Sequence, residues 1–417
     1  MLDSENKVIV KPGHFSKSIL IPTSKSYANR ILILASLSPS VVTIEGLPES
    51  TDVSNLINCL EKVGIKFLKG PMGTVKVLNS FPECENNNDS DTIYLETGDG
   101  GTTNRFILPF LARGRKQYVL KPQGKMRIRP MEELINSLTL LGADITEKES
   151  SGGFDIEVKG PLDFNERKLS IDCERSTQFA SALAMSLWDF EEFEFELLNL
   201  KSSKSYYEMT LGLIKELRLG KSSFCVPVDF SSLSYPLALG AVTGEVFIEN
   251  CSSLDIFQAD ACFISILKKM GADLYWEEGG GLKLRVAESL KPLNYDCSDC
   301  PDLVPTLAFL CSYVDGVSCL TNIKVLRHKE SDRVFEIERL FQAFGIDYSY
   351  NNELDRLEIR GEKLSKEHLR KFLRHDPPED HRMVMVSYLF MKMNNGGEVT
   401  NASHVRKSFP NFFNAMG

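Results

Sequence analysis

The chain has 417 residues and a formal net charge of −9, with 42% apolar and 25% charged residues. That length exceeds what one hydrophobic core usually supports, so two domains are expected, and the acidic total speaks against a general nucleic-acid binder. No run of about 18 apolar residues occurs, which leaves no candidate transmembrane helix in the sequence.

The opening segment, MLDSENKVIVKPG, has neither an apolar signal core nor an Arg-rich amphipathic leader, so a cytoplasmic protein is expected. PTSKSYANR (Pro22–Arg30) comes next and sets Ser24, Lys25 and Ser26 before the helical run YANRILILASL. Ser24 alone would read as a helix cap. Lys25 between two serines at a helix N-terminus, where N–H groups are free and the field favours negative charge, points further, to an anion site.

From Leu56 a pattern begins that recurs along the chain: an amphipathic helix, a terminal glycine, then a β-prone run. It reads LINCLEKVGIKFL (Leu56–Leu68), LINSLTLLGADI (Leu134–Ile145), LIKELRLGKSSFCV (Leu213–Val226), ILKKMGADLYW (Ile266–Trp276) and IERLFQAFGIDYSY (Ile337–Tyr350). Apolar residues follow helical spacing in each, and the glycine stands where a helix C-terminus favours a left-handed residue. Gly64, Gly142 and Gly220 are spaced by 78 residues, and Gly271 and Gly345 by 74. This predicts repeated supersecondary units rather than one continuous sheet. CENNNDSD (Cys84–Asp91), ESSGG (Glu149–Gly153) and EEGGG (Glu277–Gly281) read as exposed hairpin or loop connections.

Cations fall in the segments between these units, beside Ser, Thr and Gly. TGDGGTTNRF (Thr97–Phe106) joins glycines that admit a close backbone approach to the donors Thr102, Thr103 and Arg105. It is neither GxGxxG nor GxxxxGKS/T, so dinucleotide and P-loop readings fail. GKMRIRP (Gly124–Pro130) carries three cations in five residues, which alone would read as a solvated loop. ERSTQF (Glu174–Phe179) and SSKSYYEMT (Ser202–Thr210) set hydroxyls beside a cation, a pairing that suits a phosphate, although capping is the plainer reading of either alone. In CPDLVPTLAFL, Asp302 stands before an apolar run as a helix cap or a positioned acid/base. NIKVLRHKESDR (Asn322–Arg333), EDHRM (Glu379–Met383) and VRKSFP (Val405–Pro410) complete the set. Together they hold more positive charge than one phosphate requires. A substrate pair with two phosphates and two carboxylates accounts for it.

The ten cysteines are scattered, with Cys251, Cys262, Cys311 and Cys319 in apolar stretches that suit buried reduced thiols. Cys297 and Cys300 form a CxxC with no second ligand pair at finger-like spacing, so no metal site is expected.

The ordered set SKSxxNR, GxGGT, RPMxxLxxxLxxLGAxI, STQF, SKSY, PDxxxTLA, KESDR, DHRM and RKSFP resembles the 5-enolpyruvylshikimate-3-phosphate synthase family, from about residue 10 to 412. The resemblance implies an α/β (α+β) fold of two similar domains, each of three βαβαββ repeats arranged as an inside-out barrel. One domain would span 23–227 and the other 1–22 plus 228–417, with chain crossovers near residues 20 and 228, the second in DFSSLSY with Asp229. The active site would lie in a cleft between them. The implied reaction moves the enolpyruvyl group of phosphoenolpyruvate to the 5-hydroxyl of shikimate 3-phosphate, without metal or organic cofactor. The implied partners are these two small molecules only, with no nucleic acid or membrane, and a monomer is expected.

By motif position, Lys25, Ser26 and Arg30 would sit at the shared substrate cleft. Ser176, Thr177, Ser203 and Tyr206 would hold shikimate 3-phosphate, with Lys329 near its phosphate and Asp302 at its 5-hydroxyl. Lys125, Gln178, Arg333, Arg382 and Lys407, with Gly101 and its loop, would surround phosphoenolpyruvate. Lys25, Asp302 and Glu330 would be the catalytic groups. The chain departs from the family pattern at four places: Lys125 stands for Arg, Asp99 for Asn, Val325 for a second Asn before KESDR, and Phe106 for Pro. A lysine gives a point-charge contact in place of a bidentate grip, and Asp99 adds negative charge beside an anion site. A transferase for a UDP-sugar would carry a cysteine in the segment equivalent to KPQGKMRIRP, which has none. A transferase for another phosphorylated alcohol, and a paralogue that only binds anions, are the remaining rivals. The presence of Lys25, Asp302, Glu330, Arg333, Arg382 and Lys407 together argues against the last of these.

Overall fold

The computed structural model describes residues 6–85, 92–163, 168–190, 193–285, 289–363 and 372–417, so part of the Cys84–Asp91 connection lies outside the described residues. The chain divides into two compact units, Thr23–Pro227 and Met1–Pro22 with Val228–Gly417.

The first unit contains helices α1 (Lys25–Leu37), α2 (Thr51–Lys62), α3 (Gly101–Leu111), α4 (Glu132–Leu140), α5 (Gln178–Ser186) and α6 (Lys204–Arg218). One sheet runs Ser223–Cys225, Val42–Glu45, Val75–Val77, Phe67–Lys69, and a second runs Ile93–Gly98, Gln117–Pro122, Gly153–Lys159, Asp144–Ser150. A parallel pair, Lys168–Asp172 with Glu194–Leu198, forms the third. In each four-stranded sheet one parallel pair is followed by an antiparallel hairpin.

The second unit repeats the scheme with α7 (Phe230–Thr243), α8 (Cys262–Lys269), α9 (Val304–Ser312), α10 (Arg333–Phe344), α11 (His381–Met393) and the short α12 (Phe412–Met416). Its sheets run Asp273–Trp276, Leu282–Arg285, Val246–Ile248, Lys17–Ile19, then Asn294–Asp296, Gly316–Thr321, Arg356–Gly361, Asp347–Asn351, then Val8–Val10, Gly397–Val399, Leu373–His375.

Two kinds of helix follow from two kinds of sequence. The crossover helices α1, α3, α5, α7, α9 and α11 carry runs such as ILILASL, FILPFL and MVMVSYLF and are buried nearly all round. The alternate helices α2, α4, α6, α8 and α10 bury one stripe and end at the recurring glycines. Gly64, Gly142, Gly220, Gly271 and Gly345 all have positive φ, between 68° and 102°, which a side chain would strain. Glu149–Gly153 and Glu277–Gly281 are hairpin turns. Two hydrophobic clusters form, one of residues from 27–226 and one of residues from 8–21 and 230–416, so each unit has its own core.

Candidate active site

In the first unit the N-terminal turns of several helices are tied together by buried polar groups. Ser24 caps α1 by accepting from the Tyr27 N–H, and Lys25, its first residue, donates Nζ to Asp52 Oδ2 of α2 at 2.9 Å. Asp52 is fully enclosed and the Lys25 side chain is 14% exposed, so the lysine is the member of the pair that reaches solvent. Asn29 donates to Thr102 Oγ1 at 2.8 Å, and Thr103 Oγ1 donates to the Asp52 carbonyl at 3.1 Å, which joins α1, α2 and α3.

Arg105 of α3 donates Nη1 to Ser176 Oγ at 3.2 Å and to Gln178 Oε1 at 3.0 Å, and its guanidinium lies 4.9 Å from the Phe179 ring centre. It thereby holds STQF against the glycine loop. Thr177 caps α5 by position only, with no side-chain cap bond. Ser203 precedes α6 with φ +56° and makes no side-chain cap bond.

Arg30 is 1% exposed. It donates Nε to Thr210 Oγ1 and Nη1 to the Ser26 carbonyl, both at 2.8 Å, with its guanidinium 5.0 Å from the Phe106 ring and 5.7 Å from the Tyr206 ring. Burial lowers its pKa to about 10, still charged at neutral pH. Phe106, one of the departures from the family pattern, is thus a floor for this cation. An added Cβ on Gly101 would lie 2.8 Å from the Arg129 guanidinium, so a side chain there would displace that group. Lys125 is exposed, whereas its neighbour Arg127 is engaged by the Pro122 carbonyl, Ser150 and Asp155.

In the second unit the N-terminal ends of α7, α9, α10 and α11 converge on one ion-pair network. Asp302 lies in the short turn Pro301–Leu303 ahead of α9 and makes no cap bond. Its Oδ1 accepts from Arg333 Nη1 at 2.8 Å and stands 3.5 Å from Lys329 Nζ, while its Oδ2 accepts from Arg382 Nη2 at 3.0 Å. Glu330 accepts from Arg333 Nη2 at 2.8 Å and lies 3.7 Å from Lys407 Nζ. Asp380 caps α11 through the Arg382 N–H and also accepts from Arg333 Nε at 2.8 Å and Ser331 Oγ at 2.9 Å. Arg382 Nη1 donates to Ser231 Oγ in the first turn of α7, whose cap is Asp229.

The charges set one another. Burial would raise the Asp302 carboxyl, but Arg382, Lys329 and Arg333 outweigh it and hold the group well below the usual carboxylate range. Burial would discharge Arg333, but Asp380, Glu330 and Asp302 hold its proton above the ordinary guanidinium value. Asp260, in the turn before α8, goes the other way: enclosure, then the nearby Asp302 charge, push it up to about 6, with Arg382 and a hydrogen bond to Ser231 opposing.

A carboxyl raised on folding stabilises the fold fully below its unfolded value of 3.8, and that contribution is lost as pH climbs through about 6. Measured by urea unfolding between pH 4 and 7, the protein should therefore lose stability with rising pH relative to the Asp260→Asn variant. Parallel pH profiles would refute this.

The structure thus brings Asp302, Lys329, Glu330, Arg333, Arg382 and Lys407 into one network, and links Ser176 with Gln178 through Arg105, and Ser26 with Tyr206 through Arg30. Sequence reasoning missed Asp52, Asp260 and Asp380. Asp52 follows the Ser50 cap of α2 and looks like an ordinary first-turn acid, and nothing in QADACF marks Asp260. Asp380 was within sight, since it opens the DHRM motif. Among the described residues, no group of three or more His, Cys, Asp or Glu is placed to hold a metal, and no helix is long and apolar enough to cross a membrane.

A family model described as EPSP synthase (3-phosphoshikimate 1-carboxyvinyltransferase) matches residues 9–220 and 216–416. A 3-phosphoshikimate 1-carboxyvinyltransferase of Syntrophobacter fumaroxidans is 31% identical, covering 98% of this chain and 98% of its own. One from Archaeoglobus fulgidus is 30% identical, covering 98% and 97%. Among solved structures, an EPSP synthase of Acinetobacter baumannii matches with TM-score 0.75 at 20% identity, covering 98% and 97%. The enolpyruvyl transferase NikO of Streptomyces tendae matches with TM-score 0.71 at 13% identity, covering 98% and 96%. At such identities the structures speak for the fold alone, which is the one the motifs imply.

Proposed function

Because the chain belongs to the EPSP synthase (3-phosphoshikimate 1-carboxyvinyltransferase) family, we propose that it transfers the enolpyruvyl group of phosphoenolpyruvate to the 5-hydroxyl of shikimate 3-phosphate and releases phosphate. The observation that carries this reading is the network around Arg333, where Asp302 and Glu330 are held among Lys329, Arg382 and Lys407 at converging helix N-termini. The reaction needs that combination: cations for a phosphate and a carboxylate, and carboxyls to move protons.

In this reading Arg333, Arg382 and Lys407, with Lys125, Gln178 and the Gly101 loop, bind phosphoenolpyruvate. Ser176, Thr177, Ser203, Tyr206 and Lys329, with Lys25, Ser26 and Arg30, hold shikimate 3-phosphate. Asp302 takes the proton of the 5-hydroxyl as the oxygen attacks C2, while Glu330 and Lys25 handle the protons at the phosphoenolpyruvate carbon and oxygen, C3 gaining one. The tetrahedral intermediate then returns a C3 proton to Glu330 as the C2–O bond to phosphate breaks, which re-forms the enol double bond, and the arginines offset the charge on the departing phosphate.

The low pKa of Asp302 explains why a substrate must be present for it to act. Without substrate, Arg382, Lys329 and Arg333 make it a weak base. Anionic substrates compete for those cations, and the Asp302 carboxylate regains basicity as they do. Binding and proton abstraction are then coupled.

The protein is taken as a cytoplasmic monomer acting on these two small molecules without metal, organic cofactor, nucleic acid or membrane, and gel filtration of active protein checks its oligomeric state. The decisive test is to mix purified protein with both substrates and follow inorganic phosphate. Sustained release is expected. Silence there with turnover of another phosphorylated alcohol would select that branch, and silence on all with retained ligand binding would select an anion-binding paralogue. Arg382→Ala should weaken phosphoenolpyruvate binding by about tenfold or more, as for loss of a hydrogen bond to a charged group. Unchanged affinity by calorimetry would remove Arg382 from that role.

A further inference from the structure

The buried helices α7, α9 and α11 have two ends, and the ion-pair network occupies only one. Ser231, Asp302 and Arg382 mark that N-terminal end. At the other end the last turns of the same three helices surround a cavity of about 470 Å³. At 1.5 Å per residue, the 14 residues of α7 put it on the order of 20 Å from the network. The cavity lies wholly within the second unit.

Its floor is apolar and its mouth is charged. Ala241 of α7, Tyr313 and Val314 just after α9, and Met393 of α11 line it and are buried. Asp315 and Lys363 line it at exposed positions, and Lys392, in the last turn of α11, at a half-buried one. The Lys363 N–H donates to Asp315 Oδ1 at 2.6 Å, which ties these two parts of the mouth together. The His14 ring backs the end of α7, since an added Cβ on Gly244 would lie 2.6 Å from its Cε1.

Helix geometry adds a third element. The Gly244 N–H donates to the Gly240 carbonyl at 2.8 Å, Tyr313 to Leu310 at 3.2 Å and Asn394 to Phe390 at 3.1 Å. The carbonyls beyond these, at the C-terminal ends, have no partner inside their own helix. Each helix end carries on the order of half a negative charge, so the three together offset most of the charge on two lysines. Among the described residues that line the cavity, the acidic side adds Asp315 and the basic side is Lys363 with Lys392. The two signs come near to balance, and they are kept apart. A lone anion would gain at the lysines and lose at the helix ends, and a lone cation would do the reverse.

From this arrangement we propose that the cavity is a binding site for a free α-amino acid with a large apolar side chain. A zwitterion answers both signs at once. Its carboxylate meets Lys392 and Lys363, its ammonium group donates to the helix-end carbonyls, and its side chain covers Tyr313, Val314 and Met393. The volume falls within the range of small-molecule sites, and an apolar lining with a few polar groups is their usual make-up. Partial burial already holds the Lys392 ammonium below the ordinary lysine value, so an arriving carboxylate stabilises its charge.

The full chain is titrated with L-phenylalanine and with L-leucine by calorimetry, which reads binding without turnover and so does not depend on the proposed reaction. Saturable binding of both is expected, with dissociation constants on the order of 1 mM or tighter. Three analogues each lack one element: 3-phenylpropionate the ammonium group, 2-phenylethylamine the carboxylate, and L-serine the apolar body. Each should bind at least about tenfold more weakly than L-phenylalanine. Lys392→Gln and Lys363→Gln should each weaken L-phenylalanine by about tenfold, the cost of losing a hydrogen bond to a charged group. Lys269→Gln, at an exposed position of α8 outside the lining, should match the parent. Phosphoenolpyruvate should not displace the amino acid, because the network is at the far end of the helices. No saturable binding of either amino acid, 3-phenylpropionate binding as tightly as L-phenylalanine, parent-like affinity in both cavity-lysine variants, or displacement by phosphoenolpyruvate would each overturn the proposal.

Discussion

Changing Asp302 to Asn is expected to lower turnover by about 10²-fold or more, the usual cost of losing a general acid or base, without raising KM for phosphoenolpyruvate. The two parameters should separate because Asp302 has two effects. As a base it serves the transition state. As a counter-ion it occupies Arg333 Nη1 at 2.8 Å and Arg382 Nη2 at 3.0 Å, groups assigned here to the substrate. The amide keeps the shape, loses the charge and leaves those cations more available to an anion. Glu330→Gln should lower turnover by a similar amount, since Glu330 shares Arg333 and Lys407 in the same way. Steady-state kinetics of both variants decide the matter. Turnover within twofold of the parent for both would remove the mechanistic assignment, and a raised KM with unchanged turnover would make Asp302 a binding group only.

The second large effect is on stability. Asp380 is fully enclosed and meets Arg333, itself 1% exposed, at 2.8 Å. Asp380→Ala should destabilise the unit that contains it by about 3–5 kcal/mol, because a buried guanidinium loses a close partner and the α11 cap is lost as well. The chain has two tryptophans, Trp188 in the first unit and Trp276 in the second. In a Trp188→Phe background, urea unfolding followed by fluorescence reports on Asp380's own unit. The exposed pair Arg360–Asp347 is the control, since Asp347→Ala should cost about 1 kcal/mol or less. An Asp380 effect no larger than the control would mean that Glu330 and Asp302 alone satisfy Arg333.

The repeated architecture was legible because its signals are local. A helix that ends at a left-handed residue needs glycine, and Gly64, Gly142, Gly220, Gly271 and Gly345 mark five such ends with the strand following directly. The cations of KESDR, DHRM and RKSFP were legible for a similar reason, since each sits at a recognisable motif position. Their counter-ions were not. That Arg333 is shared by residues 302, 330 and 380, or that Lys25 pairs with Asp52, depends on which helix ends meet, and local sequence pattern carries no trace of that. Arg105 and Arg127 show the converse limit. Arg105 reads as a donor beside glycines and Arg127 as one cation of a basic loop, and both are spent on holding protein groups, Ser176 and Gln178 in one case and Pro122 and Ser150 in the other.

The sheet order has a bearing on how the chain is made. Val8–Val10 pairs with Gly397–Val399, and Lys17–Ile19 with Val246–Ile248. A ribosome therefore emits two strands whose partners follow about 230 to 390 residues later. The contiguous stretch 23–227 can complete its core while those strands wait, so it should be the earlier of the two to fold during translation. Expressed as a separate polypeptide, 23–227 is expected to fold. The 228–417 piece, made without the leader strands, would present two unpaired β edges and should aggregate unless a peptide spanning 6–22 is supplied.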